Sequence, residues 1–228
     1  MTHTTASEFF QQVVGVYDDL IKKHVPCYED LFWAMFHYLP TGFTPIRVLE
    51  LGCGTGNLTS AISKYWPQAE ITAVDMVSEM LEETRHKLAP KTIQLMQSSF
   101  QDLDFPPAQF DVILSSLALH HLPDSEKWPF FQKCYTWLKP GGYFVFADGA
   151  AGASDRLTKA HIDLWENLNI RDGFTAEELE QTRQHRNAHD HYASLPDLTN
   201  HLNKAGFIHV DILWRYGIWA VLQAQKAS

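Results

Sequence analysis

Cysteine is scarce in this chain, with three in 228 residues: Cys27, Cys53 and Cys134. They lie far apart and form no pair with the spacing of a zinc site or a redox dithiol, so they read as free thiols in a reducing compartment. Long apolar runs are missing too. None approaches the roughly 18 residues needed to cross a bilayer, so no membrane partner is expected. Positive charge is in short supply, since 18 Lys and Arg stand against 27 Asp and Glu for a net charge of −9. Non-specific nucleic-acid binding depends on cations that displace counterions from phosphate, so nucleic acid is not the expected partner. The opening Met1-Thr2-His3-Thr4-Thr5 lacks the basic-then-apolar pattern of a secretory leader, and the expected location is cytoplasmic. Repeats and low-complexity segments are absent.

What remains is an ordinary globular composition, 45% hydrophobic and 20% charged, of a length that suits a single α/β domain over 1–228. Three zones are visible. Residues 1–45 read as helical: Thr5 and Glu8 are spaced as a capping box, and an aromatic-rich helix spans Tyr28–Tyr38 after Pro26. This arm is not needed to build a sheet, so it is a candidate lid. Residues 46–148 alternate strands and helices. The strands are expected at Arg47–Leu51, Ile71–Asp75, Ile93–Gln97, Val112–Ser115 and Tyr143–Asp148, with helices at Asn57–Tyr65, Ser78–Leu88 and Ser125–Leu138. That rhythm implies a doubly wound, mostly parallel sheet with helices on both faces. Lys139-Pro140-Gly141-Gly142 is expected to close the third of these helices.

Residues 149–193 form a helical insert, with helices at Ser154–Asn169 and from the Thr175/Glu178 capping box to about Asn187. In 194–228 a helix over Leu195–Ala205 ends at Gly206. A hairpin follows, Val210–Trp214 and Ile218–Gln223, joined by Arg215-Tyr216-Gly217.

The strand Val48-Leu49-Glu50-Leu51 runs straight into Gly52-Cys53-Gly54-Thr55-Gly56 and then a helix. Glycines there let the backbone turn tightly and meet a ligand without an intervening Cβ. In a doubly wound sheet this loop lies at the carboxyl ends of the strands, where ligands settle. A dinucleotide fingerprint would space its glycines G-x-G-x-x-G for a pyrophosphate; here the third glycine comes one position early and Glu50 precedes the turn. A carboxylate at Glu50 suits a cationic group, and Asp75, ending the second strand, suits the hydroxyls of a ribose.

Glu50-x-Gly52-x-Gly54-x-Gly56, Asp75 and Leu138-Lys139-Pro140-Gly141-Gly142 together resemble the class I S-adenosylmethionine-dependent methyltransferases. The resemblance implies a seven-stranded sheet with an antiparallel last strand. S-adenosylmethionine is the implied cofactor and S-adenosylhomocysteine the product. It also implies that Glu50, Gly52, Cys53 and Gly54 hold the methionine end, Asp75 the ribose, and Met76, Ser99 and Phe100 the adenine, with Ser115 near the sulfonium. Many members carry Asp where Ser99 stands.

A narrower likeness reaches the flanks. Val25-Pro26-Cys27-Tyr28, Gly173-Phe174-Thr175, Gln181-Thr182-Arg183 and Ala205-Gly206-Phe207 are similar to the bacterial carboxy-S-adenosylmethionine synthases, enzymes of tRNA modification. That likeness implies that Tyr28 closes over the cofactor and that Arg183 meets a carboxylate. The glycine loop keeps the ordinary methyltransferase form that the synthases alter, and Ser115 stands where they carry Asn. The expectation is therefore methyl transfer to an O or N atom of a small acidic or aromatic molecule. A carboxy-S-adenosylmethionine synthase-like enzyme, an RNA or protein methyltransferase and a cofactor-binding protein without turnover are the alternatives.

Methyl transfer needs positioning and a base for any proton released. His120 of the His120-His121 pair, near the end of the fourth strand, is the first candidate base, with packing as its plainer role. The run His185, His189, Asp190, His191 is the second. His185 and His189 lie one helical turn apart, as in metal sites, but no third ligand has a fixed spacing, and a hydrogen-bonded corner before Tyr192 explains the run as well. His191 is the second candidate base, and no metal is expected. Substrate contacts are expected from Tyr17, Arg183, Trp214 and Tyr216; on the final hairpin Trp214, Tyr216 and Trp219 suit either the pocket or a homodimer contact.

Overall fold

The computed structural model describes residues 6–228 apart from Thr92, so the Thr5 half of the expected capping box lies outside the described residues. An arm of α1 (Ala6–Val13), α2 (Tyr17–His24) and α3 (Tyr28–His37) leads into β1 (Arg47–Leu51), α4 (Asn57–Tyr65), β2 (Glu70–Asp75), α5 (Ser78–Leu88) and β3 (Gln94–Gln97). Then come β4 (Phe110–Ser116), α6 (Asp124–Trp137), β5 (Leu138–Gly149), α7 (Asp155–Arg171), α8 (Ala176–His189), α9 (Leu195–Ala205), β6 (Ile208–Tyr216) and β7 (Trp219–Gln225).

The strands form one seven-stranded sheet in the order β3-β2-β1-β4-β5-β7-β6, and only the pairs made by β7 are antiparallel. Alternate side chains of a strand point to opposite faces, which is why the central strands read as unbroken apolar runs. Leu49, Leu51, Ile113, Phe144 and Phe146 pack on one face beneath α6 and α9, against Phe131, Trp137, Leu198 and Leu202. Val48, Val112, Leu114 and Val145 pack on the other, against Leu31 and Met35 of α3, Ile62 of α4 and Trp165 of α7. Each such side chain removed from water contributes about 1.5–3 kcal/mol, so both faces must be covered for the sheet to hold.

Two boundaries differ from expectation because strand pairing extends past the turn residues. Lys139-Pro140-Gly141-Gly142 is not a loop after α6; it is the irregular start of β5, where Leu138 pairs with Phe110 and Tyr143 with Val112 across a register shift. A Cβ on Gly142 would sit 2.9 Å from the carbonyl oxygens of Asp111 and Lys139, so the close approach demands glycine. The last hairpin turns at Gly217-Ile218, since Arg215 and Tyr216 pair with Ala220 and Trp219. The Thr175/Glu178 capping box forms as the sequence requires, with both reciprocal hydrogen bonds.

β1 pairs with β2 on one side and β4 on the other, so the chain reverses its winding at the carboxyl end of β1. This is the crevice where open α/β sheets bind ligands. The arm roofs it. Asp18 of α2 accepts hydrogen bonds from Thr55 Oγ1 (2.5 Å), Asn57 Nδ2 (3.0 Å) and Lys87 Nζ (2.6 Å), tying the arm to the glycine loop and to α5. Trp165 of the insert donates to the His24 carbonyl at 2.6 Å, joining insert to arm. No helix among the described residues is long and apolar enough to cross a membrane.

Candidate active site

The glycine loop leaves β1 by hydrogen bonds from the N–H groups of Gly52 and Cys53 to the Val74 carbonyl, 2.8 and 2.9 Å. Gly52 has φ +71°, and a Cβ on it would lie 2.3 Å from that of Ala118. Gly54 has φ +52°, and its missing Cβ would meet only the Tyr17 ring, at 3.9 Å, so here the backbone itself faces open space. That space is a cavity of about 280 Å³.

Ten of the expected residues line the cavity: Tyr17, Tyr28, Glu50, Gly52, Cys53, Gly54, Asp75, Met76, Ser99 and Phe100. Asp75 takes the Gly54 N–H at 2.8 Å and the Val77 N–H at 2.9 Å, which fixes its carboxylate at the end of β2. Burial raises its pKa. Glu50 is 1% exposed, its Oε2 accepts no hydrogen bond, and burial pushes its pKa up to about 8. A buried carboxylate oxygen without a donor is costly unless a cation or donor arrives, so this wall is built for a positive group. No Lys or Arg is among the lining residues.

Ser115 must be corrected. Its hydroxyl donates to the Leu51 carbonyl at 2.8 Å and the residue is fully buried, while Ser116 lines the cavity. Neighbouring strand residues face opposite ways, so an error of one position exchanges wall for core. Leu117, next in line, takes φ +56°, a strained conformation for a branched residue, at the point where the cavity meets a second one.

The second cavity, about 80 Å³, shares Phe10, Tyr17, Leu117 and His121 with the first. Its apolar walls include Trp165 and Trp219, and its polar end holds His120, His121, His185, Asp190 and Tyr192. Asp190 Oδ2 accepts from the Tyr192 hydroxyl at 2.6 Å. Its Oδ1 accepts no hydrogen bond, and His120 Nε2, His121 Nδ1 and His185 Nε2 stand 3.7, 3.6 and 3.8 Å from it. His120 Nδ1 is paired with Asp148 on β5. Burial pulls the His120 pKa down, but the Asp148 and Asp190 carboxylates outweigh it and leave it raised. Burial, helped by neighbouring imidazoles, holds His121 well below its ordinary value, and burial lowers His185 to about 4 against the pull of Asp190.

Four other expectations fail at this site. The exposed His191 side chain lies in a separate surface depression; only its backbone serves here, donating to the His120 carbonyl at 2.7 Å and accepting from the buried Lys127 ammonium at 2.8 Å. Arg183 is committed to Glu166 by bonds of 3.1 and 2.6 Å and lines neither cavity. Trp214 and Tyr216 sit on the edge strand β6, away from both cavities; the hairpin aromatic that reaches the site is Trp219. Asp148 and Tyr192 carry no expectation as site residues, whereas His185 and Asp190 are named only as members of the run 185–191. The run 185–191 did carry the signal, but one helix pattern cannot reveal partners on β5 and after β4.

A family model described as a methyltransferase domain matches residues 48–142. The chain is 32% identical over 171 residues to an uncharacterized methyltransferase of Anoxybacillus flavithermus, covering 71% of this chain and 79% of that one. It is 27% identical over 221 residues to the carboxy-S-adenosyl-L-methionine synthase of Campylobacter fetus subsp. fetus, covering 96% and 94%. Among solved structures, an S-adenosylmethionine-dependent methyltransferase of Mesorhizobium loti superposes with a TM-score of 0.61 at 20% identity, over 86% of this chain and 95% of that one.

Proposed function

The chain belongs to the class I S-adenosylmethionine-dependent methyltransferases, and we propose that it methylates an oxygen or nitrogen of a small aromatic molecule held in the second cavity. The observation that carries this reading is a small aromatic-walled cavity joined to the glycine-loop cavity at Tyr17 and His121, with Asp190 Oδ1 an unsatisfied acceptor at its polar end.

S-adenosylmethionine supplies an electrophilic methyl group on a sulfonium. Glu50, with its bare Oε2, would take the amino group of the methionine end, and Gly54 gives the backbone room to approach it. Asp75 would accept from the ribose, with Met76, Ser99 and Phe100 around the base and Tyr28 as cover. Tyr17 and Trp219 confine the acceptor molecule, and the arm and insert exclude water from above. Asp190 Oδ1 and the neutral His121 ring offer places for the acceptor's proton. Orientation of this kind lowers the barrier of an in-line displacement, and a placed base adds typically about 10²–10⁴-fold.

An acidic acceptor has less support. Arg183 and Arg186 are both spent on Glu166; Arg186, which lines the second cavity, bonds it at 3.1 Å while also lying over the Trp165 ring. The synthase-like reading ranks second, favoured by the near full-length alignment at 27% identity. A carboxylated cofactor would need a cation for its extra carboxylate, and no Lys or Arg stands among the described residues that line the first cavity.

The test is methyl transfer from labelled S-adenosylmethionine to a panel of small phenols, N-heterocycles, aromatic amines and non-aromatic acids. Turnover confined to ring-bearing hydroxyl or nitrogen acceptors is expected. Turnover confined to non-aromatic acids, or carboxylated S-adenosylmethionine co-purifying with the protein, would contradict the reading.

A further inference from the structure

We propose that His120, His121 and Asp190 form a binding site for one divalent transition-metal cation at the polar end of the second cavity. Their ligand atoms lie within 4.8 Å of one another. Oδ1 of Asp190 stands 3.7 Å from His120 Nε2 and 3.6 Å from His121 Nδ1. A metal bonded at about 2.1 Å to each would hold its ligands about 3–3.5 Å apart, so the two Asp190–histidine edges need an inward movement of a few tenths of an ångström, and the His120–His121 edge, within 4.8 Å, closes by rotation of the imidazoles.

The Asp190 side chain is 6% exposed and its Oδ1 has no hydrogen-bond partner, although it is turned toward these imidazole nitrogens. A buried carboxylate oxygen left bare is unfavourable, and a cation placed between it and the rings removes the cost.

The outer contacts match what metal-ligating groups receive. Asp148 pairs with His120 Nδ1, which directs the lone pair to Nε2 and inward. The Tyr192 hydroxyl occupies Asp190 Oδ2 and leaves Oδ1 for the metal. Among the described residues His121 Nδ1 makes one long hydrogen bond, 3.4 Å, to the His189 carbonyl, which a metal would replace. His185 Nε2, 3.8 Å from the same oxygen, stands at the periphery as a fourth donor. Two imidazoles and one carboxylate form a donor set for zinc, iron, cobalt or manganese, whereas calcium and magnesium prefer oxygen alone.

Open positions on such a cation would face the space shared with the cofactor cavity and hold the acceptor's oxygen or nitrogen by a lone pair. With the cation bound, Asp190 Oδ1 and His121 Nδ1 act as ligands in place of proton acceptors, and the cation would acidify the acceptor so that its proton leaves to water. That use rests on the proposed function; the binding site does not.

The test is titration of chelator-treated full-length protein with Co²⁺, followed by visible absorption, beside S-adenosylhomocysteine affinity measured on each variant. One equivalent with ligand-field bands is expected. Asp190→Asn and His120→Gln, both at residues that line the second cavity and not the first, are each expected to weaken it at least tenfold while S-adenosylhomocysteine affinity stays within twofold. Cobalt uptake equal in wild type and both variants, or none in the wild type, overturns the proposal. Methyl transfer with no specific cobalt binding removes the metal alone. Specific cobalt binding with no acceptor in the panel methylated leaves the metal site standing and removes the acceptor reading.

Discussion

Asp190→Asn is expected to lower kcat about a hundredfold or more while S-adenosylhomocysteine affinity changes by less than twofold. The substitution keeps the volume and can keep the bond to the Tyr192 hydroxyl, but it removes the negative charge beside three imidazoles. Asp190 lines the second cavity and not the first, so the cofactor should bind unchanged. The size follows from a positioned proton acceptor being worth about 10²–10⁴ in rate. Steady-state kinetics with a turned-over acceptor, together with calorimetry, checks both halves. Unchanged kcat would remove Asp190 from the chemistry, and lost cofactor affinity would mean that the effect is structural.

Glu50→Gln is expected to make the ligand-free protein more stable and its cofactor binding weaker. The sign follows from the direction of the shift. Burial raises Glu50 from 4.5 to about 8, so the folded state binds a proton that the unfolded state has lost. Stability therefore falls as pH rises from 4.5 toward about 8, and the cost is fully present above that. At about 1.4 kcal/mol per pK unit the whole shift sets a ceiling of about 5 kcal/mol, and relaxation and water entry leave roughly 1–3 kcal/mol. That corresponds to a rise of about 2–12 °C in Tm for a chain of this size at pH 8. Binding runs the other way. The ionised carboxylate is the form that receives an ammonium, so wild-type affinity should rise at least tenfold between pH 6 and pH 8, whereas the Gln variant should be weak and pH-flat. Thermal unfolding and calorimetry at both pH values decide it. A destabilised Gln variant, or pH-flat wild-type binding, would show that Glu50 is not the cation's partner.

The cofactor half of the site was legible because it is written in backbone requirements. Gly52 and Gly54 are held at positive φ by a loop that must pass close to Ala118 and leave room beside Tyr17, and those demands leave a local mark in the sequence. The sheet was legible for a similar reason: burial on two faces forces continuous apolar runs at β4 and β5. Strand ends were less so, since Pro140 and Gly141 read as loop residues and fall in the register shift between Leu138, paired with Phe110, and Tyr143, paired with Val112.

The acceptor half was legible only in fragments. Its polar end gathers His120 and His121 from the turn after β4, Asp148 from β5, and His185, Asp190 and Tyr192 from the insert, and no local spacing links those segments. Arg183 misled because its partner, Glu166, sits on another helix and takes the fork that a substrate carboxylate would need. Ser115 misled by a single position on a strand of period two.

The central claim is that the cavity around Glu50, Gly54 and Asp75 binds a sulfonium nucleoside, and calorimetric titration with S-adenosylhomocysteine tests it most directly. One site per chain is expected, weakened about ten- to a hundredfold by Asp75→Ala, as the loss of hydrogen bonds to a charged group requires. No binding by the intact protein, or undiminished binding by the Asp75→Ala variant, would contradict the account.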